Sequence, residues 1–213
     1  MKKKNIALFL LTTLIMVGCG KWTEKKNYYS NGNLSSVIHY KNDKLDGESI
    51  YYFENGNIQS QYNYKDGALD GISKSWYLTG DVEREENYTN GMLNGIKKEF
   101  NQNGNLAYLE TYQNDSLNGE YKSYHANGKL RIGGSYKKGL YDGAWKYFDQ
   151  FGRIVGEASF ELGTGTQTAF FSNGKKKQVT HYNNNEKHGR EELYNSAGEL
   201  INVKIYENGL FIK

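Results

Sequence analysis

The chain has 213 residues, with 27 Lys and Arg against 24 Asp and Glu, no proline and a single cysteine. One cysteine excludes an internal disulfide, and 37% hydrophobic residues are too few to cover both faces of a broad sheet. The formal charge of +3 falls to zero if Lys2, Lys3 and Lys4 are removed with a leader, so the basic footprint of a nucleic-acid binder is missing.

Residues 1–18 read as a targeting segment: three lysines, an apolar run from Ile6 to Met16, then Gly18 before Cys19. The run is too short for a permanent membrane span, and a cleaved signal peptide is expected. Met16-Val17-Gly18-Cys19 resembles the lipobox of bacterial lipoproteins, which implies fatty acylation (such as palmitate) of Cys19 and its exposure as the new N-terminus. Each buried methylene contributes about 0.8 kcal/mol, so two or three acyl chains would hold the protein on a membrane. Residues 19–27 are expected to be a short polar tether, and residues 28–213 a repeat domain.

That domain repeats at a fixed period, the sequence signature of a repeat architecture. Turn glycines stand at Gly32, Gly56, Gly80, Gly104, Gly128, Gly152, Gly174 and Gly198, marking copies one to eight, with spacings of 24 except for one of 22. Four residues before each glycine is a first ring column: Tyr28, Tyr52, Trp76, Phe100, Tyr124, Phe148, Phe170 and Tyr194. Two residues after it runs an aliphatic column, broken only by Lys176. Eight after it runs a second ring column: Tyr40, Tyr64, Tyr88, Tyr112, Tyr136, Phe160, Tyr182 and Tyr206.

Each copy holds two strand-length runs bounded by Gly, Asn and Asp. A two-residue Asn55-Gly56 loop would put Tyr52 and Ile58 on opposite faces. A three-residue Glu54-Asn55-Gly56 loop with glycine in the left-handed region pairs Tyr52 with Ile58 on one face, and is preferred. Both ring columns and the aliphatic column are then expected on a single buried face. The opposite face, with Gln59, Gln61, Asn63, Glu83, Glu85 and Asn87, is expected to be wet. The other connection, through Asp66-Gly67 to Asp70-Gly71, is expected to be a longer loop whose leucines, Leu45, Leu69, Leu93 and Leu117, fold over the sheet edge. The fold expected is all-β: an elongated, open and twisted single-layer antiparallel sheet of about eight tandem 24-residue hairpins.

Aromatic-x-x-Asn-Gly-x-Leu, then Tyr, then Gly, repeated from Tyr28 to about Tyr206, is similar to the bacterial variant of the MORN repeat. The resemblance implies β-hairpins in series, membrane-associated scaffolding or docking, and no intrinsic catalysis; many bacterial proteins with the variant repeat are labelled antitoxins. It implies no cofactor.

The residues agree with a non-catalytic reading. His39, His125, His181 and His188 form no metal pair, and only His39 and His181 share a repeat position. Glu83 and Glu85 could be a carboxylate pair acting on envelope glycan, but acids on a wet strand ordinarily only solubilise it. The expectation is a lipid-anchored bacterial envelope module, on the periplasmic or cell-surface side, that binds an unknown protein partner; the alternative is an immunity protein or antitoxin neutralising a toxin. Copy six departs from the pattern, with Gly163-Thr164-Gly165 in place of Leu-Asp-Gly. If that break uncovers rings, Phe160, Phe170 and Phe171 form a candidate interaction site; otherwise it is a tighter turn that exposes nothing.

Overall fold

Each copy folds as a hairpin because its turn residues close their own hydrogen bonds. In the computed structural model, which describes residues 20–213, the Phe53 N–H donates to the Asn57 carbonyl at 2.8 Å and the Gly56 N–H to the Phe53 carbonyl at 2.9 Å. Gly56 has φ +90°, so Glu54-Asn55-Gly56 is the three-residue loop expected, ending in a bulge. Asn55 Oδ1 accepts the Asn57 N–H at 3.0 Å, which is why asparagine precedes the glycine. Asn57 Nδ2 donates to the Leu78 carbonyl in the next turn at 2.9 Å, and Asn33 and Asn105 reach Glu54 and Ala126 likewise. These amides tie one copy to the next along the turn edge.

The described residues form one antiparallel sheet of 19 strands. Copies one and two comprise β1 (Trp22–Tyr28), β2 (Leu34–Lys41), β3 (Lys44–Tyr52) and β4 (Ile58–Lys65). Copies three and four comprise β5 (Ala68–Leu69), β6 (Gly71–Trp76), β7 (Val82–Thr89), β8 (Met92–Leu93), β9 (Gly95–Phe100) and β10 (Leu106–Gln113). Then follow β11 (Ser116–Tyr124), β12 (Leu130–Lys137), β13 (Leu140–Phe148) and β14 (Ile154–Glu161) in copies five and six. The last are β15 (Thr164–Phe170), β16 (Lys176–Asn183), β17 (Glu186–Tyr194), β18 (Leu200–Glu207) and the short β19 (Leu210–Phe211). Both β5 and β6 pair with β4, and both β8 and β9 with β7, so each couple is one strand parted at a bulge. β1 occupies most of the stretch expected to be a tether, pairing from Trp22↔Lys41 to Tyr28↔Leu34, so the sheet begins before residue 28. The expected leader and Cys19 lie outside the described residues.

The expectation of a single face carrying all three columns is corrected by the register. Tyr52 does pair with Ile58, but its neighbour Tyr51 pairs with Ser60, leaving Gln59 as an extra residue. Paired residues share a face and successive residues alternate, so the first ring and aliphatic columns lie on one face, and Ser60, Tyr62 and Tyr64 on the other. The same shift recurs in other copies, as at Tyr124↔Leu130 and Phe148↔Ile154. β14 shows the result: Gly156, Ala158 and Phe160 are buried while Ile154, Val155, Glu157 and Ser159 are exposed. The second ring column therefore lines a packed face, and the first ring and aliphatic columns line an open face.

The second connection also differs from expectation. Lys41 pairs with Lys44 across a two-residue turn, Asn42-Asp43, with φ 51° and 62°. Leu45, Leu69, Leu93 and Leu117 do not fold over an edge; they pair within the ladder with Tyr40, Tyr64, Tyr88 and Tyr112. Asp and Gly after the leucine form a second bulge. Asp46 accepts the Asp66 N–H of the next turn at 3.1 Å, and Asp70 accepts that of Asn90. Gly119, at φ +126°, lies so close to Thr111 that a Cβ would come within 3.0 Å of it.

Copy six lacks this second bulge and nothing else. β14 and β15 pair without a shift from Gly156↔Ala169 to Glu161↔Thr164 around Leu162-Gly163. The sheet is continuous there, and Asn185 bridges the shortened turn by accepting the Tyr141 N–H at 2.8 Å and donating to the Gly139 carbonyl at 2.9 Å. Beside it lies the core. Trp145 stands over Gly134, with Tyr141, Tyr136 and Tyr121 ring centroids 5.0, 5.1 and 5.6 Å away, and Phe160 stacks against Tyr141 at 5.1 Å. Such pairs add about 0.5–1.5 kcal/mol each beyond the area they bury.

The turn geometry makes Gly104 a test position, because its φ of +75° is left-handed and nothing lies within 4 Å of an added Cβ. Any penalty there is conformational, about 1–2 kcal/mol and larger for a β-branched residue. Gly104→Val is expected to lower the thermal midpoint more than Gly104→Asn; equal midpoints would contradict a left-handed glycine.

Candidate functional site

The residue seven before each turn glycine decides what the packed face does in that copy. It is Ser49 and Ser73 in copies two and three, Lys97 in copy four, Tyr121 and Trp145 in copies five and six, and Glu191 in copy eight. Trp145 fills its share of the face, and Glu191, 3% exposed, is held by Gln178 at 3.0 Å and by Lys187. Ser49 is fully covered, whereas Ser73 borders an open cavity.

A groove runs over β4, β6 and β7. A cavity of about 400 Å³ bordered by Tyr51, Ser60, Tyr62, Ser75 and Arg84 runs into one of about 230 Å³ bordered by Tyr62, Ser73, Glu86 and Tyr88. Ser75 Oγ donates to Glu83 at 3.1 Å, Arg84 pairs with Glu86 at 3.5 Å, and the Tyr88 hydroxyl donates to Glu86 at 3.2 Å. Ser49 and Ser73 are 0% and 2% exposed, and neither hydroxyl has a hydrogen-bond partner.

The open face carries the alternating first rings and aliphatics along the turn edge, with Ile58, Ile154 and Leu200 exposed. Beside this band runs a row of lysines, Lys74, Lys98, Lys122 and Lys146, one in each of copies three to six. Lys74 donates to Glu85 at 2.7 Å and Lys98 lies 3.7 Å from it; the Lys74 hydrogen bond, with Lys98 adding its charge, holds the Glu85 carboxyl below its usual range. Gly133 lies directly between Lys122 and Lys146 in the ladder, leaving a depression of about 490 Å³ closed at one end by Leu130 and Phe148.

The sequence-derived candidates are distributed differently from expectation. Phe160 is 6% exposed, inside the core, and Phe170 and Phe171 are half-buried; copy six is the tighter turn, and no patch of uncovered rings forms around these three. Glu83 and Glu85 do not form a pair, because the bulge places Glu83 on the packed face with Ser75 and Glu85 on the open face with Lys74. His39 and His181 share a repeat position for a structural reason: each Nδ1 hydrogen-bonds the backbone carbonyl at the second bulge, of Glu48 and Arg190 respectively. Asn63, Asn87 and Thr111 do the same in their copies. The serine groove was not foreseen, although the change from serine to tryptophan seven residues before the turn glycine was visible in the sequence. Among the described residues, no three His, Cys, Asp or Glu side chains are grouped as metal ligands would be.

A family model described as MORN repeat variant matches residues 24–42, 45–66, 69–90, 93–114, 117–138 and 164–184, more than half of the chain. Each matched segment carries one hairpin turn, and copies six and eight fall outside them. No curated protein matches the chain.

Burial, and then the charge and hydrogen bond of Glu86 or Glu110, push the Tyr88 and Tyr112 hydroxyls up to about 12. A phenol with a higher pKa folded than unfolded leaves stability intact below the unfolded value of about 10 and removes it as pH rises towards the folded value. The thermal midpoint should therefore fall between about pH 10 and 12, and Glu86→Gln should bring part of the phenolate absorbance in at lower pH. An unchanged phenolate titration in Glu86→Gln would contradict the contact.

Proposed function

The chain belongs to the MORN repeat variant family, and from that membership we propose that it is a non-catalytic protein-binding scaffold held on a bacterial envelope membrane by acylated Cys19. Repeat modules of this family bind proteins and membranes. The observation that carries the reading is the open face: one ring in each copy and an aliphatic side chain in every copy but the seventh, kept in line by the bulge after the aliphatic residue. A long band of rings with exposed Ile58 and Ile154 and lysines alongside suits an extended protein surface better than a small molecule. β1, paired from Trp22, would keep this face close to the anchored end. An immunity role would use the same face against one tight partner.

Two measurements test the proposal. Metabolic labelling with a fatty-acid analogue is expected to mark the wild type and not Cys19→Ser; equal labelling of both would remove the anchor. Crosslinking from membranes is expected to give an adduct that Ile58→Asp with Ile154→Asp abolishes at an unchanged thermal midpoint. Persistence of the adduct in that variant would move the partner off the open face.

A further inference from the structure

We propose that the groove on the packed face of copies two and three binds a neutral oligosaccharide. This site is on the opposite face from the proposed protein-binding band and does not depend on the anchor or the partner. Three observations carry it.

First, the packed face is open in copies two and three and filled in copy six. In copy six the same position is Trp145, whose indole fills the face so completely that a Cβ on Gly134 would come within 2.1 Å of it. In copies two and three the open volume lies beside that position, between Ser60, Ser75 and Arg84, with Tyr51 and Tyr62 packed edge to face at 6.0 Å along its wall and Ser73 bordering the smaller cavity. The larger cavity, about 400 Å³, is within the ~300–1,000 Å³ usual for small-ligand sites.

Second, the groove ends on a hydroxyl that nothing in the fold uses. Ser73 is 2% exposed, borders the smaller cavity and has no hydrogen-bond partner. A buried polar group left unpaired is unfavourable, so a ligand hydroxyl reaching Ser73 recovers what folding leaves unsatisfied.

Third, the chemistry around that hydroxyl selects against other ligands. Glu83 and Glu86 oppose an anion and Arg84 opposes a cation. An extended peptide pairs with a free strand edge, and β4, β6 and β7 have neighbours on both sides. What remains favoured is a neutral ligand that presents apolar ring faces to Tyr51 and Tyr62 and hydroxyls to Ser73, Arg84 and the carboxylates. A pyranose does both, since its axial C–H groups stack on aromatic rings while its equatorial hydroxyls point outward.

The test is titration calorimetry of the full chain with cellohexaose and with the hexamer of N-acetylglucosamine. At least one is expected to bind, with Tyr62→Ala removing binding and Ser73→Ala weakening it about tenfold, the equivalent of ~1.4 kcal/mol. Lys122→Ala, on the open face, is expected to leave binding unchanged. Ser73→Ala should melt at or above the wild-type temperature, because it deletes an unpaired buried hydroxyl; a lower midpoint would show that Ser73 serves the fold and would overturn the assignment. It is equally overturned if neither hexamer binds at millimolar concentration, or if Ser73→Ala and Tyr62→Ala bind as the wild type does.

Discussion

One extra residue per copy, the bulge that follows the aliphatic column, determines what each side chain can do. Without Gln59 and its equivalents, the first ring, aliphatic and second ring columns would project from one face and leave the other wholly polar. With it, rings are divided between two faces. The chain thus gains a face packed enough to hold the sheet together and a second face that keeps apolar side chains available. Bulges re-aim side chains in this way at a local cost to the ladder, and here that cost recurs at every copy.

The second bulge has a different role. Its leucine packs across from the second ring, its aspartate accepts a backbone N–H from the next turn, and its glycine allows the close approach of the residue opposite. Copy six omits it, the β14–β15 ladder runs on without a shift, and Asn185 accepts the Tyr141 N–H and donates to the Gly139 carbonyl across the shortened turn. A repeat array meets only its neighbours, so a missing bulge is repaired within one copy on either side and is not transmitted to the rest.

Much of this was legible in the sequence. The period gave the antiparallel sheet, and the Asn-Gly pairs gave the three-residue loop, because a turn with left-handed glycine leaves its signature in two adjacent residues. The division into two faces was not legible. A bulge at Gln59 needs no glycine, and its position is occupied elsewhere by Glu83, Arg131 and Val155, residue types that carry no turn signal. Periodicity identified which columns repeat but not the residue at which alternation slips. The same slip explains why Glu83 and Glu85, two apart in sequence, never meet. The histidine coincidence at His39 and His181 was visible, yet its meaning depended on knowing where the second bulge leaves a carbonyl unpaired.

Because the two faces are separated by the sheet itself, their side chains vary under different constraints. On the open face, the ring and aliphatic positions repeat almost without exception, as a surface meeting one long partner would require. On the packed face, the position seven before the turn glycine runs from serine through lysine to tyrosine, tryptophan and glutamate. Burial alone would favour an aromatic side chain in every copy, since Trp145 shows that the fold accommodates one when the facing residues are Gly134 and Ala158. In copy three the facing residues are Tyr62 and Glu86, and Ser73 lies recessed between them. The smaller cavity is therefore bordered jointly by the serine and the two residues that face it.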